Sequence, residues 1–255
     1  MKLNLEKKVV LVTGGTRGIG KSIVAEFLAE GATVCFCSRT ATTVESVEKE
    51  FSAAYPNSQC HGAVCDVSDP AQLESWVSTV ASAQGQVDVV VANPSALSMA
   101  DTPESWMTSF QTDLMAARNL IQYALPHLEK TKGSIVSIAT VSARDVDFTA
   151  PSPYGALKSA LIHYTAQMAH TLAPKGIRAN TVSPGNVYFT DGIWEQIEHG
   201  KPEFFASQLK KNTMGRMVKP EEVADAVVYL ASQRASFITG QNLNVDGGLC
   251  TGVQY

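Results

Sequence analysis

The sequence predicts a single-domain α/β protein built on one doubly wound parallel sheet of about seven strands. Short runs of apolar and β-branched residues alternate along the chain with segments of helical spacing. Because the runs are apolar at consecutive positions, both faces of the sheet should be covered by helices. The runs begin at Val9, Thr33, Cys60, Val87, Ser134, Ile177 and Asn242.

The helices between these strands are predicted from apolar residues three and four positions apart. Clear examples are the segments containing Leu73, Trp76, Val77 and Val80, and containing Val223, Ala226, Val227 and Leu230. No repeat or linker divides residues 1–255, so the whole chain is expected to be one dinucleotide-binding and catalytic domain. One stretch, at about 188–217, breaks the alternation and carries Trp194, Phe204 and Phe205. It is either a lid over a substrate or a plain packed excursion.

Composition excludes several classes of protein. The 255 residues are 45% hydrophobic and 17% charged, unlike disordered chains. A net charge of −4 argues against a nucleic-acid binder with a basic surface. No apolar run is long enough for a membrane span, and the run after Lys8 is too short for a signal-peptide core. We therefore expect a cytoplasmic protein.

The five cysteines are expected to be reduced and to serve as small core residues. Cys35 and Cys37 are two residues apart on a predicted strand and so share a face, but the chain has no C-x-x-C pair. We therefore expect no metal site.

The first strand runs into a glycine-rich loop that is typical of phosphate binding. Glycines let the backbone turn sharply and approach a phosphate at the start of the next helix. Two kinds of site fit the loop. Gly15-x-x-x-x-Gly20-Lys21-Ser22 matches a nucleoside-triphosphate P-loop, and Gly14-x-x-x-Gly18-x-Gly20 matches a dinucleotide loop.

A tyrosine and a lysine four residues apart form the second chemical signal. Tyr154 and Lys158 would share one face of a helix, with the phenol beside the ammonium group. A nearby cation favours the phenolate and so lowers the phenol's pKa. Such a phenol can exchange the proton that accompanies hydride transfer at a carbonyl.

Together these motifs resemble the short-chain dehydrogenase/reductase family over essentially the whole chain, with 3-oxoacyl and ketone reductases nearest in general pattern. Besides the glycine loop and the Tyr154/Lys158 pair, the resemblance rests on Asp66-Val67, Ile177-Arg178-Ala179-Asn180, Ser183-Pro184-Gly185-Asn186-Val187 and Val245-Asp246-Gly247-Gly248. It implies a Rossmann-like fold and a homotetramer or homodimer.

The resemblance also implies which residues bind the dinucleotide. The loop would hold the pyrophosphate and the adenosine ribose, Asp66 and Val67 would meet the adenine, and Asn93 would lie beside the nicotinamide ribose. Lys158 would bind that ribose as well, next to Tyr154. The remaining cofactor residues would be Gly14, Thr16, Arg17, Gly18, Ile19, Gly20, Ser38, Arg39, Pro184, Gly185, Val187 and Thr190.

The residues after the second strand favour NADP over NAD. An NAD site commonly has an acid there that bonds the ribose 2′-hydroxyl. This chain has Ser38-Arg39-Thr40 instead, and Arg17 lies in the glycine loop. Guanidinium groups at these two positions could bind a 2′-phosphate bidentately.

The chain departs from the family pattern at three places. Asn-Asn-Ala-Gly is replaced by Ala92-Asn93-Pro94-Ser95. The usual catalytic serine aligns with Thr140, and Ser142 is a second candidate hydroxyl. The usual asparagine on the fourth helix is Asp113, which cannot donate a hydrogen bond when ionised.

These observations predict an NADP(H)-dependent oxidoreductase that interconverts a ketone and a secondary alcohol. Its substrate would be a small, partly apolar carbonyl compound or alcohol. Because of the departures, a second hypothesis stays open. A protein of the same fold could bind the dinucleotide as a sensor or partner subunit, with weak or no redox activity.

Overall fold

In the computed structural model, which describes residues 2–146 and 152–252, seven parallel strands form one sheet. Their order across the sheet is β3-β2-β1-β4-β5-β6-β7, so the chain winds outward in both directions from β1 and β4. The strands are β1 (Val9–Thr13), β2 (Thr33–Ser38), β3 (Gln59–Val64), β4 (Val89–Ala92), β5 (Ser134–Ile138), β6 (Arg178–Pro184) and β7 (Asn242–Val245). The predicted fold class is confirmed, and the predicted strand starts agree to within two residues.

Helices cover both faces of the sheet. They are α1 (Gly18–Ala29), α2 (Ala41–Ala54), α3 (Pro70–Gln84), α4 (Pro103–Ser109), α5 (Ala116–Thr131), α6 (Pro153–Leu172), α7 (Ile193–Gly200), α8 (Pro202–Leu209) and α9 (Pro220–Ala231). A π-helical segment, Phe110–Met115, joins α4 to α5. None of the helices in the described residues has the length and hydropathy needed to cross a bilayer.

Each face of the sheet has its own apolar core. Val10 and Val12 of β1 pack on the side of α1, α2 and α9, whereas Val9 and Leu11 pack on the side of α3, α5 and α6. Successive strand side chains point to opposite faces, so one apolar run supplies both cores. The five cysteines are free thiols. Cys35, Cys37, Cys60 and Cys65 are buried, and Cys250 is half-buried.

Arg178 fastens β6 to α9. Its guanidinium group donates four hydrogen bonds, to the carbonyls of Leu230, Ala231, Ser232 and Ile238, at 2.6 to 3.3 Å. These include the last carbonyls of α9, which have no partner within the helix and face a cation favourably. The arginine of the Ile177-Arg178-Ala179-Asn180 motif thus caps a helix.

Candidate active site

The glycine loop joins the carboxyl end of β1 to the start of α1. Gly14 and Gly18 have φ of +69° and +50°, a region that favours glycine. A Cβ on Gly20 would lie 2.0 Å from the Gly14 carbonyl oxygen, so only glycine permits this close approach of helix and loop. No side-chain hydrogen bond caps the start of α1 at Arg17. The N–H groups of its first turn are therefore oriented to receive an anion.

Asn93, which follows β4, holds this loop in place. Its backbone N–H donates to Thr13 Oγ1 at 3.2 Å, and its side-chain amide donates to the carbonyls of Thr13 and Gly14 at 3.0 and 3.2 Å. The asparagine that survives from the family pattern is therefore bonded to the loop itself. Its expected place beside the nicotinamide ribose stays a prediction.

The position of Lys21 decides between the two interpretations of the loop. A P-loop lysine reaches the β- and γ-phosphates. Lys21 instead lies on the outer surface of α1, where its Nζ is 2.8 Å from Glu50 Oε2 and 5.7 Å from the centre of the Phe51 ring. The geometry favours a dinucleotide loop.

The residues expected at the adenosine end gather where β1, β2 and β3 finish. Thr16 Oγ1 donates to Ser38 Oγ at 3.1 Å and so ties the loop to the end of β2. Arg17 and Arg39 are each next in sequence to one of these hydroxyl residues, and both are exposed. Past the end of β3, Val67 is buried, while Asp66 Oδ1 accepts hydrogen bonds from Ser68. Ile19 packs against the core beneath the loop.

Lys158 lies buried at the carboxyl ends of the central strands, with only 2% of its surface exposed. Its Nζ donates to the carbonyl of Pro94 at 3.1 Å, just past β4, and to the carbonyl of Ile138 at 3.0 Å, at the end of β5. Burial lowers the pKa of this ammonium group, because the charged form loses its hydration, and the neighbouring Asp113 opposes that change.

Asp113 supplies the negative charge beside that lysine. Its Oδ1 lies 3.5 Å from Lys158 Nζ and accepts the Ala96 N–H at 3.2 Å. Its Oδ2 accepts the Ser109 hydroxyl at 2.5 Å. The carboxylate is buried and held on both oxygens, so it is fixed in the orientation that pairs with Lys158.

The two candidate hydroxyls lie on the turn after β5. Thr140 is buried, and its Oγ1 accepts the Ser142 N–H at 3.2 Å, which caps the 3₁₀ turn Val141–Ala143. This turn packs directly on α6: a Cβ on Gly155 would lie 2.5 Å from the Ser142 carbonyl oxygen. Tyr154, the neighbour of Gly155, is half-buried in the first turn of α6. The fold therefore brings the turn, Tyr154 and Lys158 to one place.

The segment after β6 carries the last group of expected residues. Pro184 ends β6, and Gly185 packs so closely on Asp246 that a Cβ would lie 2.9 Å from the Asp246 Cα. Val187 is buried and forms a bridge with Val218. Thr190 is exposed, and its predicted contact with the carboxamide stays a prediction. The residue that touches the glycine loop is its neighbour Phe189, which the sequence motif did not single out.

Known proteins share both the sequence pattern and the geometry. Residues 14–250 match the family model described as Enoyl-(Acyl carrier protein) reductase. The chain is 38% identical over 248 residues to isoepoxydon dehydrogenase of Penicillium expansum, covering 96% of each protein. It is 34% identical over 251 residues to meso-2,3-butanediol dehydrogenase of Serratia marcescens, again covering 96% of each.

A solved structure of the same kind of protein has the same fold as this chain. The short-chain dehydrogenase/reductase from Serratia marcescens BCRC 10948 superposes with a TM-score of 0.88 at 30% identity, covering 96% of this chain and 98% of that one. The chain belongs to the short-chain dehydrogenase/reductase family. It is therefore an oxidoreductase by family, and the site described above lies where an open α/β sheet binds its ligands.

The loop of this family member fits a nicotinamide dinucleotide. The glycines at 14 and 18 put no side chain on the loop backbone, and α1 begins with N–H groups that no side chain caps. Such a cradle suits a pyrophosphate.

Proposed function

We propose that the protein is an NADP(H)-dependent oxidoreductase that interconverts a small ketone and the corresponding secondary alcohol. The observation that carries the proposal is the buried lysine at the carboxyl ends of β4 and β5, one helical turn after Tyr154. A charged side chain is rarely buried without a chemical or structural reason, and the carboxylate of Asp113, 3.5 Å away, favours the charged form of this one.

Tyr154 is the proposed acid and base. The positive charge of Lys158 favours the phenolate and so brings the phenol's pKa closer to neutral pH. In ketone reduction the phenol donates its proton to the carbonyl oxygen, and in alcohol oxidation the phenolate takes it back. A bound nicotinamide dinucleotide would supply or accept the hydride.

A hydroxyl on the turn after β5 would polarise the substrate carbonyl. Thr140 is preferred because it aligns with the family's serine, and its Oγ1 accepts from Ser142 N–H. Its own O–H proton can therefore be donated to the oxygen that becomes negatively charged. Ser142 is the second candidate on the same turn.

The preference for NADP is proposed from the end of β2. Arg17 and Arg39 flank the Thr16–Ser38 hydrogen bond, and no acid stands after β2 to bond a ribose 2′-hydroxyl. A guanidinium group forms strong, bidentate hydrogen bonds with a phosphate. The NADP 2′-phosphate would lie between these two side chains.

The substrate would be partly apolar, and segment 188–217 would form its lid. Two short helices, α7 and α8, fill this segment, and the Tyr188–Phe205 and Trp194–Phe205 ring pairs link it internally. The name of the butanediol dehydrogenase relative supports a substrate with a secondary alcohol. From the family resemblance we further propose a homotetramer or homodimer, and from the composition a cytoplasmic protein.

Steady-state kinetics with both cofactors test this proposal on a panel of ketones. We expect kcat/KM for NADPH to exceed that for NADH at least tenfold, or about 1.4 kcal/mol. Arg39→Met should reduce this ratio, whereas Arg118→Met, on α5, should leave it unchanged. Equal use of NADH would refute the cofactor assignment. Tight NADPH binding without turnover on any ketone would favour the alternative of a dinucleotide-binding sensor or partner subunit.

A further inference from the structure

The ring of Phe189 lies directly on the glycine loop. A Cβ on Gly18 would lie 2.6, 2.8 and 3.0 Å from three carbon atoms of this ring. The ring also lies close to Gly192, where a Cβ would lie 3.1 Å from two carbon atoms of the ring. The ring therefore packs closely against two glycines, and a side chain at either position would collide with it.

Phe189 belongs to the segment 188–217, whose two ends are fixed at one point of the fold. Val187 and Val218 form a bridge, Tyr188 N–H donates to the Val218 carbonyl at 2.9 Å, and Val218 N–H donates to the Asn186 carbonyl at 2.9 Å. A chain segment tethered at adjacent residues can move as a flap about that point. Phe189 comes two residues after the tether, so it is the flap's first contact with the loop.

The contact places an apolar ring against the polar N–H groups at the start of α1. Gly18 is the first residue of α1, whose start no side chain caps, and the N–H groups there attract an anion. An aromatic ring offers these donors no lone pair. A pyrophosphate at the same helix start would satisfy them and would compete with the ring for the space in front of Gly18.

We propose that Phe189 is a positioning residue that couples dinucleotide binding to the lid. The inference rests on the proposed function, because it needs a dinucleotide at the start of α1. When the pyrophosphate binds, the ring leaves Gly18 and the segment 188–217 shifts about its tether. Conversely, the Phe189 ring weakens dinucleotide binding while it is packed against Gly18.

Trp194 provides a reporter of the lid, because it lies on α7 and its ring is 6.5 Å from that of Phe205. The experiment titrates NADP⁺ into the wild-type protein and measures tryptophan fluorescence and, separately, the heat of binding. The wild type should show a change in emission on binding, and Trp194→Phe should abolish the change. NADP⁺ is used because it does not absorb tryptophan emission.

Phe189→Ala should bind NADP⁺ at least threefold more tightly, because no ring has to be displaced, and should lose most of the emission change. Phe189→Leu keeps an apolar contact and is the variant less disruptive to the fold. Its NADP⁺ affinity and its emission change should lie between those of the wild type and Phe189→Ala. Phe237→Ala is the matched control, because Phe237 is fully exposed and lies outside the lid. It should behave as the wild type does.

Two results would overturn the coupling. One is NADP⁺ binding to the wild type with no change in Trp194 emission. The other is wild-type affinity and the full emission change in both Phe189 variants. Failure of the proposed function looks different: calorimetry would then detect no NADP⁺ binding to the wild type, which would remove the proposed function and the coupling together.

Discussion

Replacing Asp113 by Asn removes the negative charge that lies 3.5 Å from Lys158 Nζ. The substitution keeps the size and shape of the side chain. Its amide oxygen can still accept a hydrogen bond from Ala96 N–H or from Ser109 Oγ, so the fold should survive. The variant therefore tests charge rather than packing.

The size of the effect follows from the distance. At 3.5 Å, two unit charges interact with about 5 kcal/mol if the effective dielectric constant is about 20. That energy is an upper bound, because the site relaxes when the charge is lost. We therefore expect the pKa of Lys158 to fall when the carboxylate is removed.

The direction of the change follows from the two influences that set the pKa of Lys158. Burial already lowers the pKa of Lys158, and Asp113 opposes this change, so without Asp113 the lysine loses its proton at lower pH. Losing the carboxylate also favours the Tyr154 phenolate. Ketone reduction needs the protonated phenol beside a charged lysine, so the alkaline limb of kcat/KM against pH should move downward.

The assay is the pH dependence of kcat/KM for ketone reduction, measured for the wild type and Asp113→Asn. Glu50→Gln is the matched control: it removes a carboxylate paired with a lysine at 2.8 Å, but on the outer surface of α1. Its profile should coincide with that of the wild type. An Asp113→Asn profile that also coincides with the wild type would refute the role assigned to this pair.

Two further predictions concern the turn after β5 and the cap of α9. Thr140→Val should lose roughly 10²–10³ in kcat, whereas Ser142→Ala should lose less than tenfold. Thr140→Ser should restore activity, because it keeps the hydroxyl that caps the turn. The reverse ranking in steady-state kinetics would assign the role to Ser142. Arg178→Met should lower the free energy of unfolding by roughly 3–5 kcal/mol, because four carbonyls lose a charged donor. Urea denaturation measures this loss, and an unchanged midpoint would contradict it.

The sequence predicts the sheet well because its strands are short apolar runs that are buried on both faces. Val9 to Thr13 is such a run, and its burial at every position follows from its composition. The ends of strands are harder: Val87 belongs to the apolar run but precedes β4, which begins at Val89. Hydrogen bonding to the neighbouring strands sets that boundary, and the sequence does not show it.

The site was predictable where a motif defines it and unpredictable where a tertiary contact does. The spacing of Tyr154 and Lys158 places them on one helix face. Asp113 lies in the π-helical segment between α4 and α5, whose period differs from that of an α-helix, so helical spacing alone does not place its carboxylate. Phe189 meets Gly18 only because the chain returns to the glycine loop after β6. No local sequence pattern predicts that contact.

Replacing Tyr154 by Phe tests the account's central claim most directly, because it removes only the phenolic oxygen. Kinetics of ketone reduction with NADPH, together with calorimetry of NADP⁺ binding, should show a loss of roughly 10² or more in kcat and a nearly unchanged dissociation constant. A Tyr154→Phe protein with normal turnover would contradict the assignment of Tyr154 as the acid and base.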